Sequence, residues 1–229
     1  APVRVVPGIE YSAGTEYEGH AFFEAPSIRK VFGKYYFVYS SQVMHELCYA
    51  VSESPIGDFT YGGVLVSNCD LGIDSYKPAD MPTAYGANNH GGMVEIGGQW
   101  FIFYHRQTNG TWYSRQGCAE PLTVLTDGRF PQVEMTSCGL NGGPLRGEGE
   151  YPAYLACNLF TDKPSMYVGG DDFPKVMQDG RDSDEEIGYI ANIKDTATAG
   201  FKYFDCKGVK AIRVTTRGYA GGKIEVRTS

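Results

Sequence analysis

Glu24-Ala-Pro-Ser-Ile-Arg-Lys-Val-Phe-Gly-Lys-Tyr-Tyr-Phe-Val-Tyr-Ser40 aligns without gaps on Asn89-His-Gly-Gly-Met-Val-Glu-Ile-Gly-Gly-Gln-Trp-Phe-Ile-Phe-Tyr-His105. Each stretch reads as a strand, a glycine-containing turn and a second, aromatic strand, which is a β-hairpin. A third strand is predicted after each, from Leu47 to Ser52 and from Thr111 to Gln116. The offset is 65 residues (89 − 24). Strand-rich units repeating at that period predict propeller blades or a stacked array. A propeller closes with at least about four blades, so this period needs about 260 residues. The repeat-bearing region, residues 1–146, is too short for that. The sequence therefore predicts the later blades of an incomplete propeller, with an N-terminal segment or a second chain completing it.

Residues 147–229 differ in texture. Gly188 to Ile193, Ala199 to Asp205, Val209 to Thr216 and Lys223 to Arg227 read as four short strands between glycine-rich or charged turns. That spacing predicts a β-sandwich. The last strand runs to Ser229 with nothing to cover its edge, so the sandwich reads as truncated. The acidic stretch from Asp179 to Glu186 is first a solvated surface, with calcium ligation as the lesser alternative.

Composition narrows the class. The 229 residues include 17 Tyr, 12 Phe, 2 Trp, 30 Gly and 12 Pro, and no sustained 3.6-residue periodicity, which points to an all-β chain. A net charge of −7 with no basic run speaks against nucleic acid as a partner. No apolar stretch nears the roughly 20 residues of a membrane span. The 6 cysteines form no CxxC pair, which speaks against zinc; disulfides are possible but not demanded, and scattered core thiols are the plainer reading.

Glu18-Gly-His-Ala-Phe-Phe-Glu-Ala-Pro-Ser-Ile-Arg-Lys30, Gly33-Lys-Tyr-Tyr-Phe-Val-Tyr39, Asn88-Asn-His-Gly-Gly92, Trp100-Phe-Ile-Phe-Tyr-His-Arg106 and Tyr113-Ser-Arg-Gln-Gly117 occur in that order. Together they resemble glycoside hydrolase family 43. The resemblance covers about residues 9 to 140. It implies a five-bladed propeller that removes arabinofuranose or xylose from plant hemicellulose with inversion. Gly188 to Arg227 resembles the middle of a family 6 carbohydrate-binding module. In place of the Gly-Asp-Trp-like turn often seen in such modules stands Lys194-Asp-Thr-Ala-Thr-Ala199. The implied architecture is all-β: blades of a five-bladed propeller in 1–146, then a partial β-sandwich in 147–229.

Glu24 matches the family's general acid. An inverting glycosidase needs a protonated carboxyl for the leaving oxygen and a second carboxylate, about 6.5–9.5 Å away, to activate water. Phe22 and Phe23 are placed to desolvate Glu24 and raise its pKa. The family's general base precedes the acid by more than the 23 residues available here. Asp70, Asp74 and Asp80 follow it and read as turn residues, so this chain is expected to carry an acid without its base.

His90 matches a histidine that helps hold a central calcium ion, and it is also a candidate substrate contact; the plainer alternative is a packed histidine. Arg115 matches an arginine that touches sugar hydroxyls, a task its fork of donors suits. Its plainer alternative is a cross-strand ion pair, for example with Glu120. His105, Arg106, Tyr39, Trp112 and Tyr113 are weaker cleft candidates. Tyr189, Phe201, Tyr203 and Tyr219 are the aromatics a sugar-binding sandwich would expose. The implied partner is a pentose-containing oligo- or polysaccharide, and the implied setting a secreted or cell-associated bacterial protein, with a cytoplasmic one as the alternative. The rival functions are a non-catalytic carbohydrate binder and a structural propeller fragment.

Overall fold

The computed structural model describes residues 5–164, 172–180, 188–218 and 221–228. Among them there is no α-helix, only strands and three single-turn 3₁₀ segments. The repeat folds as two meanders. The first comprises β1 (Phe22–Val31), β2 (Lys34–Ser41), β3 (Glu46–Ser52) and β4 (Thr60–Ser67), antiparallel and in sequence order. The second comprises β5 (Gly92–Ile96), β6 (Gln99–Gln107) and β7 (Arg115–Leu122), also in order. Both first hairpins close through two residues with positive φ, Phe32 (47°) and Gly33 (88°), then Gly97 (59°) and Gly98 (85°). That backbone twist matches the twist of paired strands. The chain is all-β and carries the blades of a propeller that it does not close by itself.

Two details depart from expectation. The third strand of the second meander runs Arg115–Leu122 rather than Thr111 to Gln116. Asn109 and Gly110 turn the chain with positive φ, and the Thr108 N–H donates to the Ser114 carbonyl. Strand pairing therefore resumes only at Gln107 opposite Arg115, leaving Trp112 and Tyr113 on the loop. Strand β4 was also unforeseen, because Gly62 and Gly63 interrupt its pattern. A Cβ at Gly62 would lie 2.1 Å from Cε2 of Tyr49, so glycine is what lets that ring cross the strand.

Alternation along β2 and β3 divides their side chains between two faces. Tyr36, Val38, Leu47 and Tyr49 point to one side and pack with Met93, Ile102, Tyr104 and Leu122 of the second meander. This is the core between the blades. Tyr39, Cys48 and Ala50 point the other way and pack with Val6, Tyr17 and Phe59. All 6 cysteines are free; Cys48, Cys69 and Cys157 are buried in the core as expected, Cys118 and Cys138 are half-buried, and Cys206 is exposed.

The later strands are short: β8 (Leu145–Arg146), β9 (Asn158–Phe160), β10 (Lys175–Met177), β11 (Tyr189–Ala191), β12 (Thr198–Gly200) and β13 (Phe204–Asp205). They pair as β8 with β13, β9 with β12 and β10 with β11. The strands expected from Val209 to Thr216 and from Lys223 to Arg227 are not formed among the described residues. Ile212, Val214, Ile224 and Val226 are exposed there, with no neighbouring strand to satisfy their backbone. Residues 181–186 of the acidic stretch, and Tyr219, lie outside the described residues.

Described parts of the later segment, around residues 154–157, 176–178 and 202, contact the blades directly. Arg106 donates to the carbonyls of Ala156 and Tyr154 at 2.6 and 2.7 Å, and Cys157 enters the inter-blade core. Arg106 is thus a packing residue. A buried ion pair closes the junction: Lys202 Nζ lies 2.9 Å from Asp70 Oδ2, with side chains 11% and 1% exposed. Asp70 also accepts from Tyr76 Oη and the Met135 N–H, both at 2.7 Å. Asp70 is a turn residue (φ 56°), but one fully committed to this network.

Removing one member of such a pair strands the other and costs about 3–5 kcal/mol, whereas replacing both is far milder. Lys202→Met should therefore lower unfolding stability by about that amount in a denaturant titration. The double variant Lys202→Met with Asp70→Asn should recover most of the loss.

Candidate active site

The sequence of β1 places Glu24 in an irregular stretch. Its register against β2 shifts on both sides of Glu24, between Phe22 and Glu24 and again before Ser27. The next residue, Ala25, has φ 57°, in the left-handed region that non-glycine residues rarely adopt. Bulges of this kind re-aim a side chain relative to the sheet. Here they turn Glu24 toward the second meander.

His90 arrives from the other side, at the entry to β5. Gly91 and Gly92 allow the approach. A Cβ at Gly91 would lie 1.8 Å from the Phe103 carbonyl oxygen, and one at Gly92 would lie 2.7 Å from Ser27 Oγ of β1. Asn89, fully buried, fixes the segment: its amide donates to the His45 carbonyl and its oxygen accepts the His105 N–H. The result is a distance of 2.6 Å between His90 Nε2 and Glu24 Oε1, with side chains 31% and 42% exposed. Two residues singled out from sequence, 66 positions apart, therefore meet.

A second histidine extends the group. The His90 N–H donates to His105 Nε2 at 3.1 Å, and the two rings meet edge to face with centroids 5.3 Å apart. Accepting at Nε2 means that the neutral ring carries its hydrogen on Nδ1. Burial pushes the His105 pKa down to about 4, and the charges of Arg115 and His90 press the same way. Arg115, first in β7, donates from Nη2 to the Trp112 carbonyl at 3.2 Å. The ion pair of Arg115 with Glu120 is not made. Glu120 is buried and accepts from Thr136 N–H and Oγ1 and from Tyr104 Oη; burial raises its pKa to about 7.

The aromatic surroundings differ from expectation. Phe22 packs against Phe37 and Tyr39, while Phe23 is 45% exposed. Neither closes over Glu24, whose side chain stays partly open. Tyr39 is buried, with its hydroxyl on the His20 carbonyl, and cannot serve as a sugar platform. Trp112 and Tyr113 are 69% and 85% exposed on the loop before Arg115. Of the aromatics expected in the later region, Phe201 and Tyr203 are exposed, and Tyr189 lies under the Arg217 guanidinium at 3.7 Å.

Calcium at His90 finds a poor donor set here. That ion takes six to eight oxygen ligands. His90 brings a nitrogen already facing Glu24, and no third histidine, cysteine or acidic residue among the described residues joins the two. His90 and Glu24 by themselves bring too few ligands for a calcium shell.

A second polar cluster escaped sequence reasoning altogether. Glu46, on β3, accepts from Ser41 Oγ at 2.6 Å, lies 2.6 Å from His20 Nδ1, and accepts from Cys48 Sγ at 3.3 Å. Its three members have no motif spacing, and only the strand pairing brings them together.

No family model matches the chain. A curated xylosidase/arabinosidase from Thermoclostridium stercorarium is 62% identical over 234 residues, covering 100% of this chain and 50% of the relative. These relatives support the xylosidase/arabinosidase family. A β-xylosidase from Xylanibacter ruminicola is 40% identical over 117 residues, covering 50% of this chain and 32% of the relative. A solved GH43_1 enzyme from Xanthomonas citri, complexed with xylose, is 30% identical, with 57% of this chain and 36% of that one covered at a TM-score of 0.43. The chain thus spans half or less of the length of these proteins.

The site makes a pH prediction through His105. Its folded pKa, about 4, lies below the ordinary 6.5, so the unfolded chain binds more protons between these values. The stability it contributes is complete above pH 6.5 and lost as pH falls through about 4. Its ring signals in NMR titration should stay those of neutral imidazole until pH nears 4, and His105→Gln should flatten the stability slope over that window.

Proposed function

We propose that this chain is the acid-bearing part of an inverting family 43 glycoside hydrolase. Its substrates would be hemicelluloses such as arabinoxylan, arabinan or xylo-oligosaccharides, from which it releases arabinofuranose or xylose. The observation that carries the reading is the Glu24–His90 pair, held between two blades and joined by His105. The kinship with xylosidase/arabinosidases supplies the substrate class.

In this reading Glu24 delivers a proton to the glycosidic oxygen as the bond to the anomeric carbon breaks. The bonding pair stays on the leaving oxygen. A base takes a proton from water, whose oxygen attacks the opposite face of the sugar, and the configuration inverts. His90 Nε2–H donating to Oε1 leaves the other carboxyl oxygen to carry the transferable proton. His90 is then a positioning residue for the acid, and a metal role for it would need its other ligands from water or from residues outside those described. Arg115 offers its guanidinium to a pair of vicinal hydroxyls.

The base is proposed to come from a segment outside this chain. Supporting this, the buried carboxylates Glu46, Asp70 and Glu120 are each bonded within other networks. Asp74 and Asp80 are exposed in the loop after β4. The same reading divides the chain into blades, 1–146, and a carbohydrate-binding-module-like β-sandwich, 147–229, packed on them. Polymeric hemicellulose lies outside the cell, which favours a secreted or cell-associated protein.

Glu24→Gln keeps the shape of the side chain and removes the transferable proton. In the species that hydrolyses nitrophenyl arabinofuranoside or xyloside, it should lower kcat by about 10²–10⁴-fold while oligosaccharide affinity persists. Unchanged hydrolysis would exclude Glu24 as the acid. A carbohydrate binder without catalysis would show binding in both forms and turnover in neither.

A further inference from the structure

We infer that His20, Glu46 and Cys48 form a binding site for a zinc ion, separate from the Glu24–His90 pair. Glu46 and Cys48 are two residues apart on β3, so their side chains leave the same face of the sheet. That strand is paired on both sides, by β2 and β4, which fixes both donors. His20 reaches the same point from the segment before β1. Nδ1 of His20, Oε1 of Glu46 and Sγ of Cys48 are separated by 2.6, 3.3 and 4.0 Å. All three lie within 4.8 Å of one another, and they are the one such group among the described residues.

The donor types select the ion. One thiolate, one imidazole and one carboxylate is a mixed soft and borderline set that suits zinc and does not suit calcium or magnesium. Ligands at about 2.0–2.3 Å from a tetrahedral zinc stand roughly 3.2–3.8 Å apart. The ion therefore has to open the 2.6 Å His20–Glu46 contact by roughly 0.6 Å or more and bring Cys48 slightly closer to His20, while its 3.3 Å from Glu46 already fits. Three protein ligands leave one position for water, the arrangement of an open rather than a closed zinc site.

The surroundings already hold the ligands in place. Ser41 Oγ donates to the Glu46 oxygen at 2.6 Å, and Tyr61 Oη lies 3.7 Å from Cys48 Sγ. The Tyr61 ring stacks on His20 at 5.4 Å between centroids. Such outer partners orient metal ligands. Glu46 and Cys48 are buried, but the His20 side chain is 37% exposed and gives the ion a way in. On binding, the thiol proton of Cys48 leaves to solvent, and His20 ligates through Nδ1 as neutral imidazole with its ring hydrogen on Nε2.

Cobalt(II) reports the site directly, because a cysteine thiolate gives it a near-ultraviolet charge-transfer band. The 229-residue chain, stripped with chelator, should take up one cobalt per chain with that band, and zinc should displace it stoichiometrically. Cys48→Ser should abolish the band. His20→Gln, on a partly exposed residue outside the sheet, should weaken zinc binding by at least about 100-fold, and Ser41→Ala by about tenfold. Circular dichroism of each variant identifies any that fails to fold, and the wild-type spectrum decides the matter without them. A wild-type chain with no charge-transfer band overturns the assignment, as does a band that survives intact in folded Cys48→Ser.

Discussion

The contact between Glu24 and His90 requires two strands from different blades to run closer than ordinary side chains allow. Gly91 and Gly92 meet that requirement, because a methyl group at either would collide with β6 or β1. Asn89 then spans from the His45 carbonyl to the His105 N–H and so ties both blades to the same loop. The bulged stretch around Glu24 supplies the matching half, turning the carboxyl toward the seam. Everything proposed for the site, from proton delivery at Glu24 to the neutral state of His105, presupposes this close approach.

Packing energy sits mainly in the seam below. Tyr36, Val38, Leu47, Tyr49, Met93 and Ile102 are almost fully buried there and make the blades one body. The later segment adds Cys157 to this core and fastens itself through Arg106 and the Asp70–Lys202 pair. A buried ion pair contributes little net stability but penalises a wrong partner heavily. It therefore acts to fix where residues near 202 lie against the blades.

Much of this was readable beforehand, for identifiable reasons. The 65-residue repeat carries hairpin turns and aromatic alternation, which are local signals, and both hairpins formed where the alignment put them. Glu24, His90 and Arg115 were legible through motif resemblance, and the structure brings the first two into contact and sets Arg115 beside His105. The failures are non-local. Strand β7 began four residues late because Asn109-Gly110 extends its hairpin loop. Isolated apolar alternation from Val209 to Thr216 promised a strand that finds no partner among the described residues. The His20–Glu46–Cys48 group spans 28 residues with no spacing signature, so only the register of β3 shows it.

In the proposed mechanism this chain supplies a general acid to a catalytic pair completed from elsewhere. The most direct measurement is hydrolysis of nitrophenyl arabinofuranoside and xyloside, with intact mass determined for the species that turns over substrate. Activity should track with a larger or two-chain species, with the 25.1 kDa chain alone inactive. Robust turnover by the 25.1 kDa species alone would contradict it and place the base among the chain's own carboxylates.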